Sequence, residues 1–228
     1  MTVEHNVLPR AMSLAVHELR TPVTVVAGYL RMLLREQAGP LTEKQKKMLE
    51  EADRSCGRLG SLVSEMSEFG KLEGRELALA RQDFDVAELT AQLAGDMHEG
   101  SDRGVRLEAR CAGPLMVTGD RTRISAALHA LMYSALRERG EPGTVIVDCS
   151  RFADTSPWAV VAIGDEAAVS TLVRATPENA PPFDEWRGGL GLALPVARRV
   201  IEAHGGALWS AGSGNSRGAS ALRLPLRT

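Results

Sequence analysis

The sequence predicts an α+β protein in two parts: an antiparallel helical hairpin and, behind it, an α/β sandwich. Three observations lead there. From residue 7 to residue 72, apolar residues recur in helical steps of three and four or their multiples. From residue 104 onward, short alternating runs trade places with helical ones. Between them, residues 74–80 break both patterns. The division is read as 1–76 for the hairpin and 77–228 for the sandwich.

The first helix covers about residues 7–37, with a seam of Leu8, Met12, Ala15, Leu19, Val26, Leu30 and Leu33. Gly39 and Pro40 end it, since glycine suits a C-cap and proline cannot continue a helix. Thr42 is the N-cap of the second helix, with Gln45 in the capping-box position. That helix runs to Leu72 along Met48, Ala52, Cys56, Leu59, Val63, Met66 and Phe69, a close heptad. One hairpin buries one face of each helix, and the remaining apolar stripe predicts a second copy and a four-helix bundle. In the second part, a short strand precedes a helix from Val86 to Asp96. Strands follow at Gly104–Cys111 and Leu115–Thr118, and Asp120 caps a helix to Arg139. Gly143–Ser150 and Trp158–Gly164 read as a hairpin turning through Ala153-Asp154-Thr155-Ser156. A helix over Leu190–His204 is closed by Gly205-Gly206, and strands at Ala207–Ala211 and Ala219–Leu224 complete a mixed sheet with helices on one face.

The 228 residues carry a net charge of −2, which speaks against a nucleic-acid binder working through a broad basic surface. Aromatics are 4% of the chain, so its cores are built from Leu, Val, Ala and Met. No apolar run approaches the roughly eighteen residues of a membrane span. Met1 to Asn6 lack a signal-peptide pattern. Cys56, Cys111 and Cys149 are widely spaced without a CxxC and read as buried free thiols of a reducing compartment. The expected location is cytoplasmic.

At about 100° per residue, His17 falls nearly opposite the first seam. Its neighbours there are Arg10, Ser13, Arg20, Thr21 and Thr24, with the carboxylate of Glu18 beside it. The string Ala15-Val16-His17-Glu18-Leu19-Arg20-Thr21-Pro22 resembles the phosphoacceptor box of sensor histidine kinases, the two-component family. That resemblance implies that His17 carries a phosphoryl group, that Glu18 polarises the imidazole, and that Thr21 positions water for dephosphorylation of a partner. Pro22 would bend the helix just past the acceptor. It further implies a homodimer and a response-regulator receiver domain as partners. About a dozen residues precede the acceptor stretch, so sensing is expected to be absent, supplied by a separate chain or trimmed away.

Gly188-Gly189-Leu190-Gly191-Leu192-Ala193, followed by Val200 to Gly206, resembles the glycine-rich box and helix of the histidine-kinase ATP-binding domain. The sandwich is then expected to be of the histidine-kinase ATPase (Bergerat) type. Glycines let backbone approach phosphates, and a helix N-terminus favours negative charge. Gly189 and Gly191 would lie nearest a triphosphate. The other boxes depart from the pattern. On the helix after Asp120, His129 and Ser134 stand where asparagines are expected. Ser134 would replace the Mg²⁺-holding asparagine, a shorter and poorer ligand, with Arg137 one turn on as a further nucleotide contact. Asp165 takes the place of the aspartate that accepts the adenine amino group, while Ala167 and Val169 replace the glycines of that box. Ser170 to Arg187 reads as a Pro-rich mobile loop, with Arg187 a phosphate contact or a solvated loop residue. His204 and Trp209 read as packing residues. The implied cofactors are ATP and Mg²⁺.

Three functions compete on these residues. The first is an ATP-dependent histidine kinase that phosphorylates His17 and passes the group to a response-regulator aspartate. The second is an ATP-independent phosphorelay protein with a degenerate kinase domain. The third is a non-enzymatic scaffold that docks receivers. A gyrase-type ATPase is set aside, because no carboxylate appears near Ser134 until Glu138.

Overall fold

The computed structural model describes residues 7–74, 78–98, 100–153, 157–211 and 218–227. They form two compact units, 1–77 and 78–228.

The first unit is a hairpin of α1 (Val7–Leu34) and α2 (Glu43–Glu73). The capping box at its turn is complete. Thr42 Oγ1 accepts from the Gln45 backbone at 3.3 Å, and Gln45 Oε1 accepts from the Thr42 backbone at 2.9 Å. The helix α1 runs unbroken through Pro22, which offers no N–H to the carbonyl of Glu18. Val16 on α1 and Cys56 and Val63 on α2 are the buried apolar residues among those described, whereas Leu19, Val26, Met48 and Leu59 of the expected seams are exposed. Gly60 and Gly70 of α2 face α1, where an added methyl would make ordinary contact with Val23 Cγ1 at 3.9 Å and with Met12 Sδ at 3.4 Å. Arg10 and Leu8 have side chains outside the described set.

The second unit holds a five-stranded sheet in the order β2-β4-β5-β7-β6: β2 (Val105–Cys111), β4 (Gly143–Ala153), β5 (Pro157–Gly164), β7 (Ser220–Pro225) and β6 (Ala207–Ser210). Only β2 and β4 run parallel; the other neighbours are antiparallel. A separate antiparallel pair joins β1 (Gln82–Asp85) to β3 (Met116–Gly119). The hairpin between β4 and β5 is formed as expected; its turn over residues 154–156 lies outside the described residues. Helices α3 (Val86–Asp96), α4 (Arg121–Glu138) and α6 (Ala193–Ala203) complete one layer. The starts of α3 and α4 are capped by side chains. Asp85 accepts from Ala87 N at 2.9 Å, and Asp120 accepts from Arg123 N at 3.2 Å. His204 fastens the end of α6 to the start of α4, its Nδ1 donating to Val200 O at 2.6 Å and its Nε2 accepting from Asp120 N at 2.9 Å. Both His204 and Trp209 are buried packing residues, as the sequence suggests.

Two expectations are corrected. Helices do not cover one face alone. Ile146, Val160, Ala162 and Ala221 share a face by register and alternation, and α5 (Glu166–Leu172) packs there through Ala168, Val169 and Leu172. The substitutions at the glycine positions explain this. Ala167 and Val169 lack the left-handed freedom of glycine, and with Asp165 as N-cap a helix begins directly after it. Nor are all three cysteines free thiols. Cys111 and Cys149 are direct partners in the parallel register of β2 and β4, Cα atoms 4.5 Å apart, and are joined as a disulfide. Sequence spacing does not disclose a parallel register. Cys56 stays a buried thiol. Among the described residues, no helix is long and apolar enough to cross a membrane.

Candidate functional site

In the first unit the candidate residues lie on α1. Val16 faces the hairpin interior, and the next residue, His17, therefore turns outward with its side chain 78% exposed. Its Nδ1 lies 3.5 Å from Glu18 Oε1. Thr21 follows one turn later and is exposed. An exposed imidazole beside a carboxylate is a group that a second protein can reach.

The second unit brings together Ser134, Glu138, Arg187, Gly218 and Ala219. Ser134 is fully buried on α4, and its hydroxyl donates to Glu138 Oε1 at 3.2 Å. Glu138 in turn faces Arg187 Nε at 3.7 Å. Arg187 Nη1 donates to Ala219 O at 3.3 Å and Nη2 to Gly218 O at 3.0 Å, and the guanidinium stacks over Phe183 at 4.9 Å. Burial lowers the Arg187 pKa from its ordinary value, with the charges of Glu138 and Asp184 working against that shift. Arg187 is thus not a solvated loop residue: its side chain is 12% exposed. The expected mobile loop is also partly structured. Ser170 to Leu172 belong to α5, and Pro182 bridges Trp209 beside a 3.1 Å bond from Ser210 N to Pro181 O.

The remaining candidates are scattered in their roles. Asp165 is the N-cap of α5, accepting from Ala168 N at 2.8 Å. Gly164 beside it cannot carry a methyl, which would meet Ala219 Cβ at 2.9 Å. Gly189 and Gly191 hold left-handed backbone, φ 58° and 64°, just ahead of α6, and space around Gly189 is open. Arg137 is exposed on α4, one turn from Ser134. His129 is exposed and stacks with Tyr133. The donor set does not fit Mg²⁺ at Ser134, since that hydroxyl has no exposure and is committed to Glu138. Sequence reasoning missed the pairing of Glu138 with Ser134, although an i,i+4 spacing on a helix places both on one side. No local signal announced the burial of Arg187.

Comparison with known proteins agrees with this layout. Residues 10–75 match the family described as the His Kinase A (phospho-acceptor) domain. The circadian input-output histidine kinase CikA of Synechococcus elongatus is 27% identical over 197 residues, which span 83% of this chain and 26% of that protein. Sensor protein DivL of Caulobacter vibrioides is 28% identical over 200 residues, 83% of this chain and 24% of its own length. The chain therefore spans about a quarter of these curated relatives. Among solved structures, full-length ShkA in complex with AMPPNP superposes with a TM-score of 0.74 at 23% identity, covering 96% of this chain and 46% of that one. The histidine kinase AdeS of Acinetobacter baumannii gives 0.60 at 20% identity, covering 93% and 98%. The chain has the fold of these solved histidine kinases: a helical hairpin, which matches the phospho-acceptor family model, followed by a mixed α/β domain.

Proposed function

We propose that this chain carries phosphoryl groups on His17 in two-component signalling, with 1–76 the dimerisation and phospho-acceptor hairpin and 77–228 the ATP-binding-like domain. The observation that carries the reading is the outward imidazole of His17, oriented by Glu18 within the stretch that matches the phospho-acceptor family. The Nε2 lone pair attacks the phosphorus, the donor oxygen leaves with the electron pair, and a phosphoramidate forms. Glu18 holds the ring and takes up the positive charge that develops on Nδ1–H. The group then passes to a receiver-domain aspartate, and Thr21 orients water in the reverse, dephosphorylating direction. Such transfers depend on positioning and charge more than on covalent chemistry by the protein. The apolar stripe left on the hairpin, including Val26, Tyr29, Leu59 and Leu62, supports a homodimer.

ATP is the donor in the primary reading. Gly189, Gly191 and the start of α6 support phosphate binding, with Asp165 and Arg137 as further nucleotide contacts. A relay in which a phosphorylated receiver supplies His17 is favoured by one specific observation: the Ser134 hydroxyl is already engaged with Glu138, and Glu138 with Arg187. Incubation with γ-labelled ATP, and separately with a phosphorylated receiver domain, tests both. Acid-labile label from ATP, absent in His17→Gln, supports the kinase. Label from the receiver alone supports the relay. No phosphoramidate from either donor refutes the role of His17.

A further inference from the structure

The two cysteines of the Cys111–Cys149 pair differ in access. Cys111 is the last residue of β2, an edge strand with β4 as its one neighbour in the sheet. It is half-buried, and Ala112, Gly113 and Pro114 after it are exposed. Cys149 lies in β4, flanked by β2 and β5, and is 3% exposed. A thiol in solution can therefore approach Cys111 and not Cys149. Disulfides with one such exposed end are the ones that exchange readily. The bond also closes a long loop, whose 38-residue span carries β3 and α4, the helix of Ser134 and Glu138. Shortly after Cys111 the chain is held again: Leu115 N donates to Asp85 Oδ1 at 2.8 Å, and Leu115 O accepts from Val86 N at 3.0 Å. The start of α3 is thus fastened beside the strand end that the disulfide holds.

We propose that Cys111–Cys149 is a reversible thiol–disulfide switch, addressed from solvent at Cys111 by glutathione-type thiols. In the reducing direction an external thiolate attacks Cys111 Sγ. The Cys111–Cys149 bond breaks, and Cys149 Sγ leaves with the electron pair and takes a proton from water. A second external thiolate attacks the external sulfur of the mixed disulfide, and Cys111 Sγ leaves and is protonated. One protein disulfide becomes two thiols, and two external thiols become one disulfide. Oxidised glutathione drives the reverse, with Cys149 as the sulfur that displaces glutathione from Cys111. Opening the bond frees the end of β2 and the loop that carries β3 and α4, so the switch sets how firmly α4 is tethered to the sheet. It acts whichever donor serves His17, and its test reads neither ATP nor His17.

The test uses the whole 228-residue chain in oxidised or reduced glutathione, read by intact mass and peptide mapping. The oxidised chain is expected to hold the Cys111–Cys149 bond with Cys56 free, and reduced glutathione should open it. Cys149→Ser removes the displacing sulfur, so in oxidised glutathione it should trap one glutathione on Cys111. Cys111→Ser should take up none at Cys149 while folded. Reduction should lower the tryptophan-monitored melting temperature of the wild type by about 4–16 °C, as loss of a bond closing a loop of this length implies. It should also speed amide exchange over residues 105–115. The wild type supplies both states, so no variant's folding decides the result. A wild-type chain that keeps three free thiols in oxidised glutathione overturns the proposal. So does glutathione found on Cys149 in place of Cys111, or a wild-type chain that melts alike with the bond closed and open.

Discussion

Asp165 can be asked directly which task it performs. Its carboxylate accepts from Ala168 N at 2.8 Å and starts α5, whose Leu172 is buried against the second face of the sheet. Replacing an N-cap aspartate by alanine costs about 1 kcal/mol, whereas asparagine caps about equally well. Asp165→Ala should therefore lower the melting temperature of the 78–228 unit by about 2–4 °C, and Asp165→Asn should leave it nearly unchanged. Leu172→Ala, which empties part of the buried cluster, should cost about 2–5 kcal/mol and sets the upper end of the scale. Tryptophan fluorescence is the assay of choice, because Trp158, Trp186 and Trp209 all belong to this unit and the hairpin has none. Thermal and urea unfolding followed by that signal report the sandwich by itself. If Asp165→Ala unfolds with the wild type, or if Asp165→Asn loses as much as alanine, the carboxylate does not hold α5 and the capping account fails.

Burial lowers the His204 pKa from its ordinary value near 6.5, partly offset by the bond to Val200. In the unfolded chain the ring takes its proton first, so its contribution to stability is present above about pH 6.5. That contribution is lost as pH falls through the lower folded value; urea midpoints from pH 8 to pH 5 should decline, and His204→Gln should flatten the slope. Gly218→Ala forces a side chain into left-handed backbone against α4 and should destabilise the second unit by about 1–3 kcal/mol, read by the same tryptophan signal. Val26→Lys with Leu59→Lys places charge on the exposed apolar stripe. It should convert a dimer to a monomer by light scattering while leaving helical circular dichroism intact, since exposed substitutions change monomer stability by roughly 0.5 kcal/mol or less.

Much of the fold was legible because its signals are local. Thr42, Asp85 and Asp120 begin helices for reasons contained within a few residues, and the apolar runs Val145–Val147 and Ala159–Ile163 mark strands buried in the sheet. His17 was legible because helical period alone turns it away from the hairpin interior. What escaped depended on distance along the chain. Leu19, Val26 and Leu59 of the seams are exposed in the single hairpin, and the sequence of one chain does not say which of them the neighbouring helix covers. The Cys111–Cys149 pairing needs a parallel register across 38 residues. The loss of glycine at Ala167 and Val169 was visible, but its result, a helix laid on the opposite side of the sheet, was not. Arg187 was misjudged for a similar reason: its partners, Glu138, Gly218 and Ala219, lie 31 or more residues away in sequence.

With α5 on one side and the α3–α4–α6 layer on the other, β5 becomes a central plank shielded from above and below. Ala159 to Ile163 are all buried, and β4 and β7 occupy both hydrogen-bonding flanks. Amide protons in that plank can reach solvent only by wholesale opening of the unit. Slow deuterium uptake there gives an internal ruler of global unfolding, against which faster opening in the surrounding turns can be graded.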